Sequence, residues 1–249
     1  NMSALLSVRD LCIETAGPEQ LRKPIVHSLS FDVEAGQVVA LVGESGSGKS
    51  LTALSLMQLL PGGVRLAAGS IRLEQDELIG RTGRELTALR GRSLGMIFQE
   101  PMTALNPVLS IGDQIQEVLK RHRGMTRVEA RAAALDVLNR VAIPDPVRCL
   151  QAYPHELSGG MRQRVVTAIA VAGSPKLLIA DEPTTALDVR TQSLLLDLLT
   201  EFARRDGMGL LLITHDLSLV AERADRVCVL FRGRLCESGP VSRVLEHPV

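Results

Sequence analysis

Tryptophan is absent from this chain, and one tyrosine and four phenylalanines are its only aromatic residues. Stacking on nucleobases or sugars therefore has little material to work with. A charge excess is absent as well: 28 basic residues balance 28 acidic ones. A nucleic-acid partner would normally call for a basic field, so the balance argues against one. No apolar run approaches the roughly 20 residues needed to cross a bilayer, and residues 209–213 read instead as a core strand. The first residues lack a basic stretch before an apolar one, so no secretory signal is expected. Cys12, Cys149, Cys228 and Cys236 are scattered without a C-x-x-C pair. They read as buried or incidental thiols of a cytosolic protein rather than a disulfide framework or metal site. The length suits one large α/β domain with a smaller inserted lobe.

What is present is concentrated in a few short runs. Gly43-Glu44-Ser45-Gly46-Ser47-Gly48-Lys49-Ser50 fits G-x-x-x-x-G-K-[ST] at every fixed position. An apolar strand over 37–42 precedes it, and a helix over 51–60, stopped by Pro61-Gly62-Gly63, follows. Strand, glycine loop and helix is the context this motif requires. The glycines let backbone N–H groups turn inward as an anion cradle, and the helix N-terminus adds its positive dipole end. Lys49 can reach the β- and γ-phosphates, and the Ser50 hydroxyl can ligate Mg²⁺. The chain is expected to bind a nucleoside triphosphate.

Along the chain, strands are expected over 6–13, 29–33, 38–42, 70–73 and 94–98. From about 100 to 157 the pattern turns helical. Residues 111–122 carry apolar positions at helical spacing, and Thr126-Arg-Val-Glu129 forms a capping box for a helix running to Val141. Pro144 and Pro146 are read as its break. Lys120, Arg121, Arg123, Arg127 and Arg131 read as a solvated face rather than a docking patch. From 158 onward, helices over 159–173, 189–205 and 217–223 alternate with strands over 177–180, 210–214 and 226–231. A hairpin turns through Gly233. Strand–helix alternation predicts a mostly parallel sheet with its ligand at the strands' C-terminal ends.

The strand ending in Asp181-Glu182 offers two carboxylates. A P-loop enzyme needs an acidic group there to hold Mg²⁺, a role that suits Asp181. Glu182, one residue beyond, could orient or deprotonate an attacking water. The segment Leu157-Ser158-Gly159-Gly160-Met161 supplies a serine cap, two glycines and free helix N–H groups, which together make a second anion site.

With these elements the sequence resembles the ATP-binding cassette family over essentially its whole length. The resemblance implies a P-loop NTPase core with a mostly parallel sheet, an antiparallel β subdomain and an inserted α-helical subdomain. The expected division of the single domain 3–249 is 3–98 and 158–249 as core and about 100–157 as the helical part. It implies ATP contacts from residues 43–51, Leu51 included, and from Gln99, with Ser50, Gln99 and Asp181 on Mg²⁺. Glu182 and the switch histidine His215 would be catalytic. Residues 157–161 would be the signature that meets ATP bound by an opposite subunit, and Ala186, Leu187 and Asp188 the loop touching that subunit. One position departs: the family's adenine-stacking aromatic should fall near Ile13-Glu14-Thr15, where no aromatic stands.

The stretch from Phe98 to Pro107, with residues 153–164 and 181–188, resembles the branch that powers bacterial dipeptide, oligopeptide and nickel importers. Members often continue beyond the equivalent of Val249, so either a shorter, nickel-type form or a piece of a longer chain is expected. The resemblance implies a peripheral ATPase on the cytoplasmic face of the inner membrane. Its partners would be a second ATPase subunit, two membrane permeases and an extracytoplasmic binding protein, with no nucleic acid. The alternative is a soluble cassette protein acting on ribosomes or DNA. Such proteins carry two cassettes or a long inserted coiled coil, and this chain shows neither.

Overall fold

The computed structural model describes residues 4–99, 104–185 and 187–246. Two compact units share the chain, Asn1–Leu86 with Thr200–Val249, and Thr87–Leu199.

In the first unit, β1 (Leu6–Thr15), β2 (Pro24–Val33), β4 (Val64–Leu73) and β5 (Asp76–Glu77) form an antiparallel sheet in the order β2-β1-β4-β5. A second set of strands is built around β3 (Val38–Gly43). It pairs in parallel with β8 (Gly209–Thr214) on one side and β9 (Arg226–Phe231) on the other. All of β8 is buried, as is β3 up to Val42, the continuous apolar run expected of a parallel strand covered on both faces. Ala40 and Val42 of β3 and Val227 of β9 pack with Val220 of helix α8 (Leu217–Arg223) and with Val241 and Val244 of α9 (Val241–Glu246). The chain leaves β9 through Arg232 and Gly233, both at positive φ, and returns antiparallel as β10 (Arg234–Pro240). Two left-handed residues give the type I′ turn that matches the strands' own twist.

Helix α1 (Lys49–Leu56) ends four residues sooner than its apolar pattern suggests. Gln58 takes a left-handed conformation, and the Leu59 N–H reaches back to the Leu54 carbonyl at 2.8 Å. With the Gln58 N–H on the Ser55 carbonyl at 3.0 Å, this makes a Schellman stop without the usual glycine. Short helix α2 (Gly83–Leu89) leads into the second unit.

There β6 (Leu94–Ile97) and β7 (Leu177–Asp181) run in parallel, both wholly buried. Helix α3 (Ile111–Arg123) buries Ile111, Ile115 and Leu119 at helical spacing. The capping box at Thr126 and Glu129 opens α4 (Arg127–Arg140) as expected. Pro146 does more than break a helix. It starts α5 (Pro146–Gln151), with Asp145 capping through the Arg148 N–H at 3.0 Å, because proline at the first turn forfeits no hydrogen bond. Helix α6 (Gly159–Ala172) follows, and α7 (Val189–Asp206) carries the chain back to the first unit. The five basic residues of 120–131 are all exposed. All four cysteines are free, and burial pushes the Cys149 and Cys228 thiols up to about 11, which leaves them protonated and unreactive. Among the described residues, no helix is long and apolar enough to cross a membrane.

His122 of α3 lies against Gly91, where a Cβ would meet its Nε2 at 2.6 Å. Burial, then the charges of Arg121 and Arg92, hold its imidazole below the ordinary histidine value. The unfolded chain therefore binds the proton more readily, and stability falls as pH drops below about 6.5. Urea midpoints of the wild type are expected to fall between pH 7 and pH 5 more steeply than those of His122→Gln. Parallel pH dependences would remove His122 from this role.

Candidate functional site

In the first unit the P-loop leaves the C-terminal end of β3 and runs into α1. Two glycines leave no room for a side chain. At Gly43 a Cβ would lie 2.1 Å from the Leu230 carbonyl oxygen. At Gly48, whose φ is +99°, it would lie 2.7 Å from Val26 Cγ2. Lys49 is buried, and its ammonium donates to the carbonyl oxygens of Gly43 at 2.8 Å and Glu44 at 2.9 Å. Those bonds compensate the burial of a charge and keep the ammonium beside the loop. Ser47 is 3% exposed, yet its Oγ has no hydrogen-bond partner among the described residues. Leaving such a group unpaired costs roughly 1–3 kcal/mol. A glycine loop leading into a helix start, with an unpaired buried hydroxyl and an adjacent ammonium, suits a polyphosphate.

His215 follows directly on β8 and is exposed; with Gly43 and Glu44 it lines a cavity of about 680 Å³. Asp216 beside it caps α8. The Ser218 hydroxyl, donating at 2.6 Å, holds the Asp216 carboxyl below its usual range against the opposing effect of burial.

In the second unit Asp181, the last residue of β7, is 5% exposed. Glu182 follows at φ +44°, a left-handed conformation unusual for a residue with a side chain. Its Oε2 accepts hydrogen bonds from Gln99 Nε2 at 3.1 Å and from the Thr185 hydroxyl at 3.3 Å. Two residues of the expected set, Gln99 and Glu182, are thus brought into direct contact. Ser158 caps α6 by accepting from the Met161 N–H at 3.3 Å, while Ser158 and Gly159 are exposed at the helix start and Leu157 is buried. Asp188 is an N-terminal cap for α7: its carboxylate accepts from the Thr191 N–H at 3.0 Å and from the Thr191 hydroxyl at 2.7 Å. The Thr191 hydroxyl, then its N–H, lower the Asp188 carboxyl. Ala186 lies outside the described residues, as does the run 100–103 that follows Gln99.

Three residues near Glu182 were given no role by the sequence: Thr185 and Gln163, which lie inside the recognised runs 181–188 and 153–164, and Gln192, which lies outside them. Gln163 had a legible signal. It shares a helical stripe with Val166, Thr167 and Ala170, all buried, so a polar side chain on that stripe needs an internal partner. Around the expected adenine position, Ile13 is fully buried and Glu14 pairs with Arg65 at 2.6 Å. The Thr15 hydroxyl accepts from the Lys23 N–H at 2.8 Å.

The ABC transporter family matches residues 26–185. The chain belongs to that family. It is 49% identical to the peptidoglycan transport ATP-binding protein YejF of Agrobacterium fabrum over its whole length, spanning 45% of that protein. It is 48% identical, over 91% of its length and 69% of the relative's, to the oligopeptide transport ATP-binding protein AppD of Bacillus subtilis. Among solved structures, the ATP-binding cassette MJ0796, a dimer in a post-hydrolysis state bound to ADP and Pi, superposes with a TM-score of 0.83. That alignment has 26% identity and covers 95% of this chain and 98% of the other. The fold is that of ABC ATPase cassettes, as the motif order implies.

Gly48→Ala is expected to lower stability by about 1–3 kcal/mol through its left-handed backbone and the contact with Val26, and to weaken nucleotide binding as well. Urea denaturation with titration of a fluorescent nucleotide checks both. Unchanged affinity would mean that the loop tolerates a Cβ there.

Proposed function

We propose that this chain is the ATP-hydrolysing subunit of a bacterial ABC importer. The observation that supports this best is Glu182, a carboxylate at the end of a buried strand, set at positive φ and hydrogen-bonded by Gln99. A binding-only cassette has no use for that costly arrangement.

In this reading ATP is the substrate and its phosphates lie in the cradle of residues 43–51. Lys49 gives up its loop carbonyls for the β- and γ-phosphates. Glu182 orients the attacking water and takes its proton, and His215 steadies the γ-phosphate. Ser50, Gln99 and Asp181 offer a hydroxyl, an amide oxygen and one carboxylate. Among the described residues no cluster of three His, Cys, Asp or Glu gathers to make an all-protein metal cage. Hard, sparse oxygen donors of this kind fit Mg²⁺, which keeps waters and binds substrate phosphates. When bound, it neutralises charge developing on those phosphates.

The exposed start of α6 serves the ATP of a second cassette subunit in a head-to-tail dimer, with Leu187 and Asp188 near that partner. Closure and reopening then drive two permease subunits at the cytoplasmic face of the inner membrane, fed by an extracytoplasmic binding protein. The relatives are named as peptidoglycan and oligopeptide transport ATP-binding proteins, which favours peptide cargo over nickel. They also leave action on ribosomes or DNA without support.

Glu182→Gln is expected to retain ATP binding and lose about 10²–10⁴-fold in turnover, the usual cost of losing positioned proton transfer. Nucleotide titration and steady-state hydrolysis on the same preparation check it. Near-normal hydrolysis would remove Glu182 from catalysis.

A further inference from the structure

The turn that carries Glu182 is held by glutamine side chains from separate elements. Gln163, in the second turn of α6 and 2% exposed, donates through Nε2 to the Pro183 carbonyl at 2.7 Å. Gln192 of α7 donates to the Thr184 carbonyl at 3.3 Å and the Leu187 carbonyl at 3.0 Å. Gln99 holds the Glu182 carboxylate itself. Within the turn, the Thr185 N–H reaches the Glu182 carbonyl at 3.1 Å.

A glutamate at φ +44° persists only where its surroundings over-determine the backbone. Of the braces, Gln163 is the buried one, and it holds the carbonyl of Pro183, the residue that follows Glu182. A buried amide-to-carbonyl bond is short, well shielded from water and poorly replaced by any apolar side chain. It also comes from the helix that opens with Ser158, Gly159 and Gly160. The contact therefore joins the anion-site helix to the backbone that aims the carboxylate, inside one unit of the chain.

We propose that Gln163 is a positioning residue for Glu182, making the aim of the water-activating carboxylate depend on the seating of α6. The inference rests on the proposed role of Glu182. An anion taken up at the start of α6 would shift that helix, and the Gln163–Pro183 bond would carry the shift to Glu182. This links occupation of one subunit's signature to the readiness of that same subunit's catalytic carboxylate.

The test is a double-mutant cycle on the full chain, with Gln163→Leu, Glu182→Gln and the pair compared by single-turnover ATP hydrolysis. Gln163→Leu is expected to lower kcat by about 10- to 100-fold, the scale of a misplacement near 1 Å. ATP KM, nucleotide affinity and the number of binding sites per chain should stay as in the wild type. In the Glu182→Gln background the same substitution should cost nothing further. Should Gln163→Leu fail to fold, the unbranched Gln163→Met, which also lacks the donor, carries the same prediction. Wild-type kcat in either variant overturns the proposal. So does an equal loss in the Glu182→Gln background, or a loss explained by fewer binding sites. If Glu182→Gln alone is active, the role of Glu182 has failed instead, and the cycle reports the two failures separately.

Discussion

The register of β3 on its two parallel neighbours fixes the nucleotide-facing end of the first unit. Val42 lies opposite Thr214 of β8, and Gly43 lies opposite Leu230 of β9. The P-loop and His215 therefore leave the sheet at the same level. Slipping a strand by one residue would turn its side chains to the other face and misplace both. The same close pairing explains why residue 43 must be glycine, with the Leu230 carbonyl where a Cβ would stand. Loop geometry, histidine placement and glycine identity thus follow from one buried strand.

Each unit applies a related solution once. Backbone N–H groups at a helix start are the recurring tool, at α1 behind the glycine loop and at α6 behind Ser158. The two starts differ in what surrounds them. The P-loop packs against Val26 and holds its own ammonium, whereas Ser158 and Gly159 stand exposed. In the proposed dimer that difference is functional, because an open helix start can serve a ligand brought by another chain.

Much of this was legible in the sequence, because periodicity and capping chemistry are local. The Thr126–Glu129 box, the buried runs of β3, β7 and β8, and the Ser158 cap all appear where residue types demand them. The stop of α1 was not legible. Gln58 ends that helix in the left-handed conformation without a glycine, so its pattern ran on toward Pro61, whereas the end of α4 was read to within a residue. Short α2, α5 and α9 were not expected from the sequence, since one or two turns carry little periodicity. The motif series named Gln99 and Glu182, but their mutual hydrogen bond is tertiary. The left-handed Glu182 and the bond from Gln163 depend on contacts that no spacing rule encodes.

The central claim is that each hydrolytic site combines one chain's P-loop with another chain's signature. The most direct measurement mixes two variants, Lys49→Ala and Ser158→Arg, under conditions in which the wild type turns over ATP. Each alone should be nearly inactive, one lacking its phosphate cradle and the other blocking the second anion site. Mixed, they form pairs with one intact site, and hydrolysis is predicted to reappear. A mixture as inactive as its components, beside an active wild type, would contradict the shared site.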